Sequence, residues 1–250
     1  MVKKCIKKAL HIVKYAYAWG QTQRAFQRAF SEKAQKFADD RFLCRWEDVW
    51  PCLHDVTATT TFDAHYLYHT AWAIRVLAET RPAQHIDISS CLRFVSMASA
   101  IVPVDFYDYR PAEISLSGLS CGQADLTSLP FPDASVSSLS CMHVVEHIGL
   151  ERYGDLFDPK GDLKAVAELN RVLSKGGQLL FVVPVGETAR IQYNAHRIYT
   201  YDQILSYFST LLLVDFALIT DSDTFIENAS PDMLVGQKYA CGCFHFIDRG

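Results

Sequence analysis

The chain has 250 residues, of which 50% are hydrophobic and 21% are charged, and its formal net charge is −4. This apolar fraction, with only 12 Gly and 9 Pro, excludes a disordered, collagen-like or coiled-coil protein. The apolar runs are strand-length, whereas a membrane-spanning helix needs about 20 mostly apolar residues. We therefore expect a soluble α/β protein with one large domain.

The positive charge is concentrated at the N-terminus. Seven of the 24 basic residues and none of the 28 acidic residues lie in residues 1–30. The rest of the chain is therefore acidic, which argues against a nucleic-acid-binding surface. Apolar residues recur at helical spacing in this basic segment, and lysines interrupt any signal-peptide core. These apolar positions are Val2, Ile6, Leu10, Val13 and Tyr17.

The pattern predicts a basic amphipathic helix within an N-terminal helical extension, residues 1–61. Two interpretations stay open. The helix packs on the body of the protein, or it contacts an anionic membrane surface or a lipid-linked substrate.

The eight cysteines include no CxxC pair, and Cys241-Gly242-Cys243 has no histidines at zinc-finger spacing. Several cysteines lie in apolar runs, where a thiol packs as a small hydrophobic group. The sequence therefore predicts reduced cysteines, no metal site and a cytoplasmic location. The second interpretation of the basic helix adds peripheral contact with the inner face of the membrane.

From residue 62 onward, helix and strand patterns alternate. Helices are predicted at 62–77, 92–101, 163–173 closing at Gly176-Gly177, and after a Thr200 cap. Strands are predicted at 85–88, 103–107, 119–124, 136–145, 178–183 (stopped by Pro184), 211–219 and 237–247. Nearly continuous apolar strands are typical of a parallel sheet covered on both faces. The alternation predicts a Rossmann-like, mostly parallel seven-stranded sheet in residues 62–250, with the last strand pair antiparallel.

In such sheets, ligands bind beyond the carboxyl ends of the strands. Asp87, Asp108 and Asp125 lie at the carboxyl ends of three successive predicted strands, and His143 lies near the end of the fourth. Asp108 lies 21 residues after Asp87, a spacing typical of an acid that binds ribose hydroxyls. The turn from Asp87 to Leu92 contains no glycine, whereas a pyrophosphate site needs close backbone approach at a helix N-terminus. This argues against NAD or FAD and favours a nucleoside cofactor without phosphates.

The chain resembles a class I S-adenosylmethionine (SAM)-dependent methyltransferase. The strand-end acids, the Ala124-Asp125-Leu126 segment and the Glu168–Leu173 helix before Gly176-Gly177 carry this resemblance. More narrowly, residues 146–155 (EHIGLERYGD) and 193–198 (YNAHRI) resemble an uncharacterised family of this fold that has EHIGLGRYGD-like and FNAHRI-like stretches. Glu151 stands where that family has glycine. The resemblance covers residue 62 to the end.

The resemblance implies SAM as the cofactor and a role for each strand-end residue. Asp87 would lie near the methionine amino group, with Ser89 and Ser90 lining the turn. Asp108 would hold the ribose, Asp125 and Leu126 would meet the adenine, and His143 would lie beside the methyl group. It also implies methyl transfer, most plausibly to an oxygen of a small-molecule, saccharide or glycolipid acceptor.

Methyl transfer to a hydroxyl usually needs a base, and histidine titrates near neutral pH. His147 and His196 are the candidate bases. His196 is favoured because its loop follows the fifth strand on the expected acceptor side, and His147 is then a loop anchor. The candidate substrate-binding residues are Asn194, Arg197, Arg152 and Tyr153. Four other histidines are expected to be packing or surface residues: His65, His69, His85 and His245.

A non-catalytic alternative stays open. The turn without glycine is also consistent with a methyltransferase-like scaffold or binding module in a glycan-assembly pathway. An NAD-linked sugar enzyme is disfavoured by the same turn. The oligomeric state is not predicted.

Overall fold

The computed structural model describes residues 22–34, 36–37, 41–53 and 55–250. The chain divides into two units, Met1–Thr61 and Phe62–Gly250. In the first unit, residues 22–34 are helical, and a 3₁₀ helix spans Trp46–Asp48. The amphipathic helix that the sequence predicts from Val2 to Tyr17 lies outside the described residues. No helix in the described part of the chain is long and apolar enough to cross a membrane.

An eight-stranded sheet is the centre of the second unit, and a separate hairpin adds two more strands. In chain order the strands are β1 (His85–Ile88), β2 (Val104–Asp108), β3 (Leu119–Gln123), β4 (Val136–Met142), β5 (Leu173–Val185), β6 (Arg190–Gln192), β7 (His196–Ile198), β8 (Leu211–Ile219), β9 (Phe225–Ile226) and β10 (Ala240–Asp248). The sheet order is β3-β2-β1-β4-β5-β10-β8-β9, and β6 pairs with β7.

The sheet is mostly parallel, as predicted. Strands β1 to β5 pair in parallel, whereas β10 is antiparallel to both β5 and β8. The predicted antiparallel pairing of the last two long strands is therefore confirmed. The eighth strand is the two-residue β9, which pairs with the outer edge of β8.

Helices cover both faces of the sheet. They are α1 (Ala64–Thr80), α2 (Leu92–Ala98), α3 (Gly161–Val172) and α4 (Tyr201–Tyr207). Residues of α1 and α2 share one buried cluster, and residues of α3 and α4 share the other. Burying a Leu or Phe side chain fully stabilises the folded state by about 1.5–3 kcal/mol. These two clusters therefore keep the ends of the strands in fixed relative positions.

The predicted element ends differ from the structure in places where the backbone turns. β4 ends at Met142 because His143 has a left-handed backbone, with φ of 59°. β5 runs past Pro184 to Val185, and the Pro184 carbonyl accepts a hydrogen bond from the Tyr199 amide at 3.0 Å. α3 ends at Val172, before the glycines predicted to close it. The predicted Thr200 cap is confirmed, since its hydroxyl accepts from the Gln203 amide at 3.3 Å.

The strand order reverses at β1, which lies between β2 and β4. In open α/β sheets, a crevice forms outside the carboxyl ends of the strands at this reversal. Ser89, Asp108 and His143 follow or end these three strands. The fold therefore brings together residues that are far apart in the sequence.

Candidate active site

Two cavities open at this edge of the sheet. The strand-end cavity, of about 500 Å³, is lined by residues that include Ser89, Asp108, Asp125 and Leu126. The histidine cavity, of about 730 Å³, is lined by residues that include His65, His196, Arg152 and Tyr239.

The cavities share three lining residues, which are Tyr66, His143 and His147. Both volumes are in the roughly 300–1,000 Å³ range of small-molecule sites. Two ligands bound side by side would therefore meet at these three residues.

Asp108 lies in the strand-end cavity at the end of β2 and is half-buried. Its Oδ1 accepts a hydrogen bond from the Arg110 amide at 2.7 Å. This bond fixes the carboxylate, and no described residue has a hydrogen bond to Oδ2. Asp125 is fixed in a similar way, because its Oδ1 accepts from the amide and the hydroxyl of Thr127 at 2.8 and 2.7 Å. Buried Leu126 beside it supplies apolar surface.

Asp87 and Ser90 lie beneath the turn that follows β1. Asp87 is fully buried. Its carboxylate accepts hydrogen bonds from the Ser90 amide at 3.0 Å and from the Ser140 hydroxyl. The Ser90 hydroxyl in turn accepts from the Met142 amide at 3.0 Å. Burial raises the pKa of Asp87 to about 7.

Neither Asp87 nor Ser90 lines a cavity. Their polar atoms bond inside the fold, beneath the turn in which Ser90 was expected; the role of Asp87 near the methionine amino group of SAM stays a prediction. Together they support the turn at Ser89, whose φ of 57° is the left-handed conformation that usually favours glycine. Ser89 itself lines the strand-end cavity.

His143 lies where the two cavities meet, and it is almost fully buried. Its Nδ1 lies 2.9 Å from Glu146 Oε1, and its Nε2 lies 3.3 Å from the Cys241 sulfur. Burial lowers the pKa of His143 to about 4, so the imidazole is neutral at pH 7. Its ring stacks against Tyr66, with centroids 5.4 Å apart.

His147 lies in a 3₁₀ helix, Val145–His147, and lines both cavities. Its Nδ1 is 2.7 Å from the Ala195 carbonyl oxygen. The carbonyl only accepts, so this shorter contact places the proton on Nδ1 and leaves a lone pair on Nε2. Arg152 Nη1 lies 3.2 Å from the same Nδ1, but its donor is satisfied by the Ala195 carbonyl at 2.9 Å. Nε2 lies 3.8 Å from Glu146 Oε1. Burial lowers the pKa of His147, which keeps the ring in its basic, neutral form.

His196 lines the histidine cavity, where its ring stacks on Tyr239 with centroids 4.9 Å apart. Its Nε2 is buried and has no hydrogen-bond partner among the described residues. Burial lowers the pKa of His196. Asn194 is exposed and lines neither cavity.

Arg197 is a structural residue. It is 6% exposed, and its Nη1 donates to the Ile148 carbonyl at 2.7 Å. Its Nε lies 3.5 Å from the Asp162 carboxylate. Because it follows His196 in β7, its side chain points to the opposite face, into the fold. This corrects its prediction as a substrate-binding residue.

The other two predicted substrate-binding residues lie at the cavities. Arg152 lines the histidine cavity, and its Nη1 donates to the Ala195 carbonyl at 2.9 Å. Tyr153 lines the strand-end cavity. The Arg152 guanidinium lies over the Tyr153 ring, 5.1 Å from its centroid. This cation–π contact joins the outer walls of the two cavities.

Comparison with solved structures identifies the fold. The N-methyltransferase NodS from Bradyrhizobium japonicum, solved with S-adenosylhomocysteine, has a TM-score of 0.51 and 13% identity over 89% of this chain and 98% of its own. The 1,6-didemethyltoxoflavin-N1-methyltransferase from Burkholderia thailandensis, also solved with S-adenosylhomocysteine, has a TM-score of 0.53 and 11% identity over 73% of this chain and 79% of its own. The fold is that of the class I methyltransferases.

Sequence comparison adds a partial family match. Residues 134–227 match the family described as "Caenorhabditis protein of unknown function, DUF268", which is less than half of the chain. The matched residues contain the two stretches at 146–155 and 193–198. A search of the curated proteins gave no match.

In this methyltransferase fold, the residues that sequence reasoning missed lie mainly in the histidine cavity. His65 and Tyr66 lie in the first turn of α1, and Asp63 caps that helix by accepting from the Tyr66 amide at 3.2 Å. The available signal was Asp63, a residue type favoured at helix N-caps, which marks the first turn of the helix but not what that turn faces. Tyr239 immediately precedes β10, and no motif in the sequence around it indicates a place in the cavity. The Asp221 carboxylate accepts from the Tyr239 amide at 2.7 Å and so positions it.

Proposed function

We propose that this chain is a SAM-dependent methyltransferase that methylates an oxygen of a small, hydroxyl-rich acceptor, with a saccharide or glycolipid as the expected class. One observation carries the proposal. The strand-end cavity and the histidine cavity meet at Tyr66, His143 and His147. Group transfer between two bound molecules needs their reacting atoms in line and in contact, and two adjoining cavities of ligand size provide that arrangement.

The strand-end cavity offers the donor set that a nucleoside cofactor requires. The Asp108 carboxylate is fixed through one oxygen, and its other oxygen fits a ribose hydroxyl. Asp125 can accept from an amino group of adenine, while Leu126 packs against the ring. SAM carries no phosphate, so the side chain of Ser89 at a turn without glycine is tolerated. When bound, SAM supplies an electrophilic methyl group.

The residues of this chain then have to take a proton from the acceptor. His147 is the better placed of the two candidate bases, since it lines both cavities. Its Nδ1 is held by the Ala195 carbonyl, and this leaves Nε2 to accept the hydroxyl proton. His196 has its Nε2 enclosed and its ring stacked on Tyr239. We therefore assign His147 as the base and His196 as a wall of the acceptor site, which reverses the preference drawn from the sequence.

The lining of the histidine cavity supports a polar acceptor. Arg152 and Asp223 provide charged hydrogen-bonding groups, and Tyr239 and Tyr66 provide aromatic faces. Charged groups that bind hydroxyls, next to aromatic faces that pack on apolar ring surfaces, are complementary to a sugar.

A non-catalytic binding module is the second candidate. The specific observation in its favour is the turn after β1, where Ser89 rather than glycine has φ of 57°. A side chain at this position restricts how closely a cofactor can approach the backbone of the turn. In this case the histidine cavity would bind a glycan without chemistry.

Activity separates the two candidates. The full chain is incubated with methyl-labelled SAM and a panel of mono- and oligosaccharides, and both label transfer and release of S-adenosylhomocysteine are measured. We expect acceptor-dependent release by the wild type and a large loss in His147→Gln. Saccharide binding without any release, in a protein that also fails to bind S-adenosylhomocysteine, would contradict the enzyme and support the binding module.

A further inference from the structure

A group of metal-ligand type lies at the floor of the histidine cavity. Three potential ligand atoms lie within 4.8 Å of one another, one each from His65, His143 and Cys241. The three residues belong to different elements, which are the first turn of α1, the residue after β4, and β10. No spacing in the sequence reveals this group.

We propose that His65, His143 and Cys241 bind one Zn²⁺ ion, whose open fourth position faces the histidine cavity. The proposal goes beyond the methyl-transfer function and does not depend on it.

One of the three distances between ligand atoms already suits a tetrahedral zinc site, and the other two are no longer than 4.8 Å. Zn–N bonds of about 2.0–2.1 Å and Zn–S bonds of about 2.3 Å place neighbouring ligand atoms about 3.3–3.6 Å apart. The His143 Nε2 and the Cys241 sulfur are already 3.3 Å apart. His65 lines the cavity and is only partly buried, so a small rotation of its side chain can complete the group.

The surrounding polar atoms orient the ligands. Glu146 Oε1 lies 2.9 Å from His143 Nδ1, so Nδ1 donates to the carboxylate and Nε2 presents its lone pair towards Cys241. A carboxylate behind a metal-binding histidine is a recurring second layer of zinc sites, because it fixes the tautomer and the ring orientation.

Two buried atoms in this cluster lack a partner among the described residues. They are Glu146 Oε2 and His69 Nε2. His69 is fully buried, and its Nδ1 contacts the His65 carbonyl at 2.6 Å, so its Nε2 carries an unsatisfied lone pair. The His69 ring centroid is 5.0 Å from that of His143. A dication, with a thiolate at Cys241 and the Glu146 carboxylate, would give this buried cluster a net charge of zero.

The ligand set selects the metal. Two imidazoles and one thiolate suit Zn²⁺, whereas Mg²⁺ and Ca²⁺ need oxygen ligands. Among the described residues, no fourth side chain joins the group. Three protein ligands with a free position are typical of zinc sites that bind a substrate or water. Because His65 and His143 line the histidine cavity, that position is accessible to an acceptor oxygen.

Cobalt substitution tests the site in the full chain. The protein is treated with a chelator, dialysed and titrated with Co²⁺, and the thiolate-to-cobalt charge-transfer absorption is followed. Zn²⁺ is then added in competition. We expect one saturable equivalent of cobalt with this absorption, and its displacement by zinc.

Matched variants identify which side chains bind the metal ion. Cys241→Ser should lose the charge-transfer absorption, whereas Cys243→Ser, on the same strand and in the same buried cluster, should keep it. His65→Ala should lower zinc affinity at least ~100-fold, and Glu146→Gln should lower it about 10–100-fold. If Cys241→Ser does not fold, as judged by circular dichroism, His65→Ala decides in its place.

Two results would overturn the proposal. One is the absence of charge-transfer absorption at millimolar cobalt, which would leave Cys241 and His143 as a thiol–imidazole hydrogen bond only. The other is an absorption that survives in both Cys241→Ser and His65→Ala. Binding of S-adenosylhomocysteine is measured in the same samples, so that failure of the zinc site and failure of the methyltransferase proposal are seen separately.

Discussion

His147 Nδ1 lies 2.7 Å from the carbonyl oxygen of Ala195, although 48 residues separate them in the chain. This hydrogen bond joins the 146–155 segment to the 193–198 segment. Since the carbonyl can only accept, this contact favours the His147 tautomer with its proton on Nδ1, over the longer 3.2 Å approach of Arg152 Nη1 to the same atom. The two stretches that the sequence singles out therefore form one structural unit at the meeting point of the two cavities.

Replacing His147 tests its assignment as the base. His147→Gln should keep its affinity for S-adenosylhomocysteine and lose about 10²–10⁴ in kcat, the usual contribution of general base catalysis. His196→Gln is the matched control, and it should act mainly on KM because it lines only the acceptor side. A His196→Gln protein with lost turnover, beside a folded and active His147→Gln protein, would reverse the assignment.

The pH dependence of kcat also tests the assignment of His147 as the base. Burial lowers the pKa of His147, with smaller effects from Glu146 (raising), the Ala195 carbonyl (raising), Arg152 (lowering) and His143 (lowering). Base catalysis needs the neutral ring, which is present above this pKa. We expect kcat to rise with pH along a limb with its midpoint below the ordinary histidine value of about 6.5, and to be flat above it.

Removing the positive charge of Arg152 should shift the pH at which kcat rises. In Arg152→Ala the pKa of His147 should rise, because the charge that opposes its protonation is gone, and the limb should shift to higher pH. Arg110→Ala, in the strand-end cavity, is the control and should leave the limb in place. A limb that moves to lower pH in Arg152→Ala would exclude His147 as the titrating base.

Arg197 should matter for stability rather than for substrate binding. Arg197→Ala leaves the Ile148 carbonyl without its donor and the buried Asp162 carboxylate without its cation. Breaking such a buried pair costs about 3 kcal/mol in the free energy of unfolding. Denaturant titration measures this loss, and Arg197→Lys should lie between the wild type and the alanine variant. An Arg197→Ala protein of wild-type stability with a raised acceptor KM would restore its predicted substrate-binding role.

The sequence predicts the sheet well because its strands are apolar runs that must be buried on both faces. β1 is predicted at its observed bounds, and Thr200 caps α4 as expected. The hairpin of β6 and β7 was missed because each strand has three residues, too few for a period to show.

The site was predicted less completely, for reasons of geometry. Asp87 is the penultimate residue of β1, and its sequence context cannot show whether its carboxylate faces a ligand or the Ser90 amide and the Ser140 hydroxyl. The group of His65, His143 and Cys241 spans three distant elements, so only the folded chain brings it together. Asp108, by contrast, is predicted from its spacing and from its place at the end of a strand, and it lines the strand-end cavity.

Calorimetric titration with S-adenosylhomocysteine tests the methyltransferase proposal most directly, because every other step depends on that cavity. We predict micromolar binding by the wild type and a roughly ten- to hundredfold loss in Asp108→Ala, since a charged acceptor for hydroxyls contributes about 1.5–3 kcal/mol. Asp105→Ala, on the same strand but outside both cavities, should bind as the wild type does. No heat of binding from the folded wild type at millimolar S-adenosylhomocysteine, or equal binding by Asp108→Ala, would contradict the proposal.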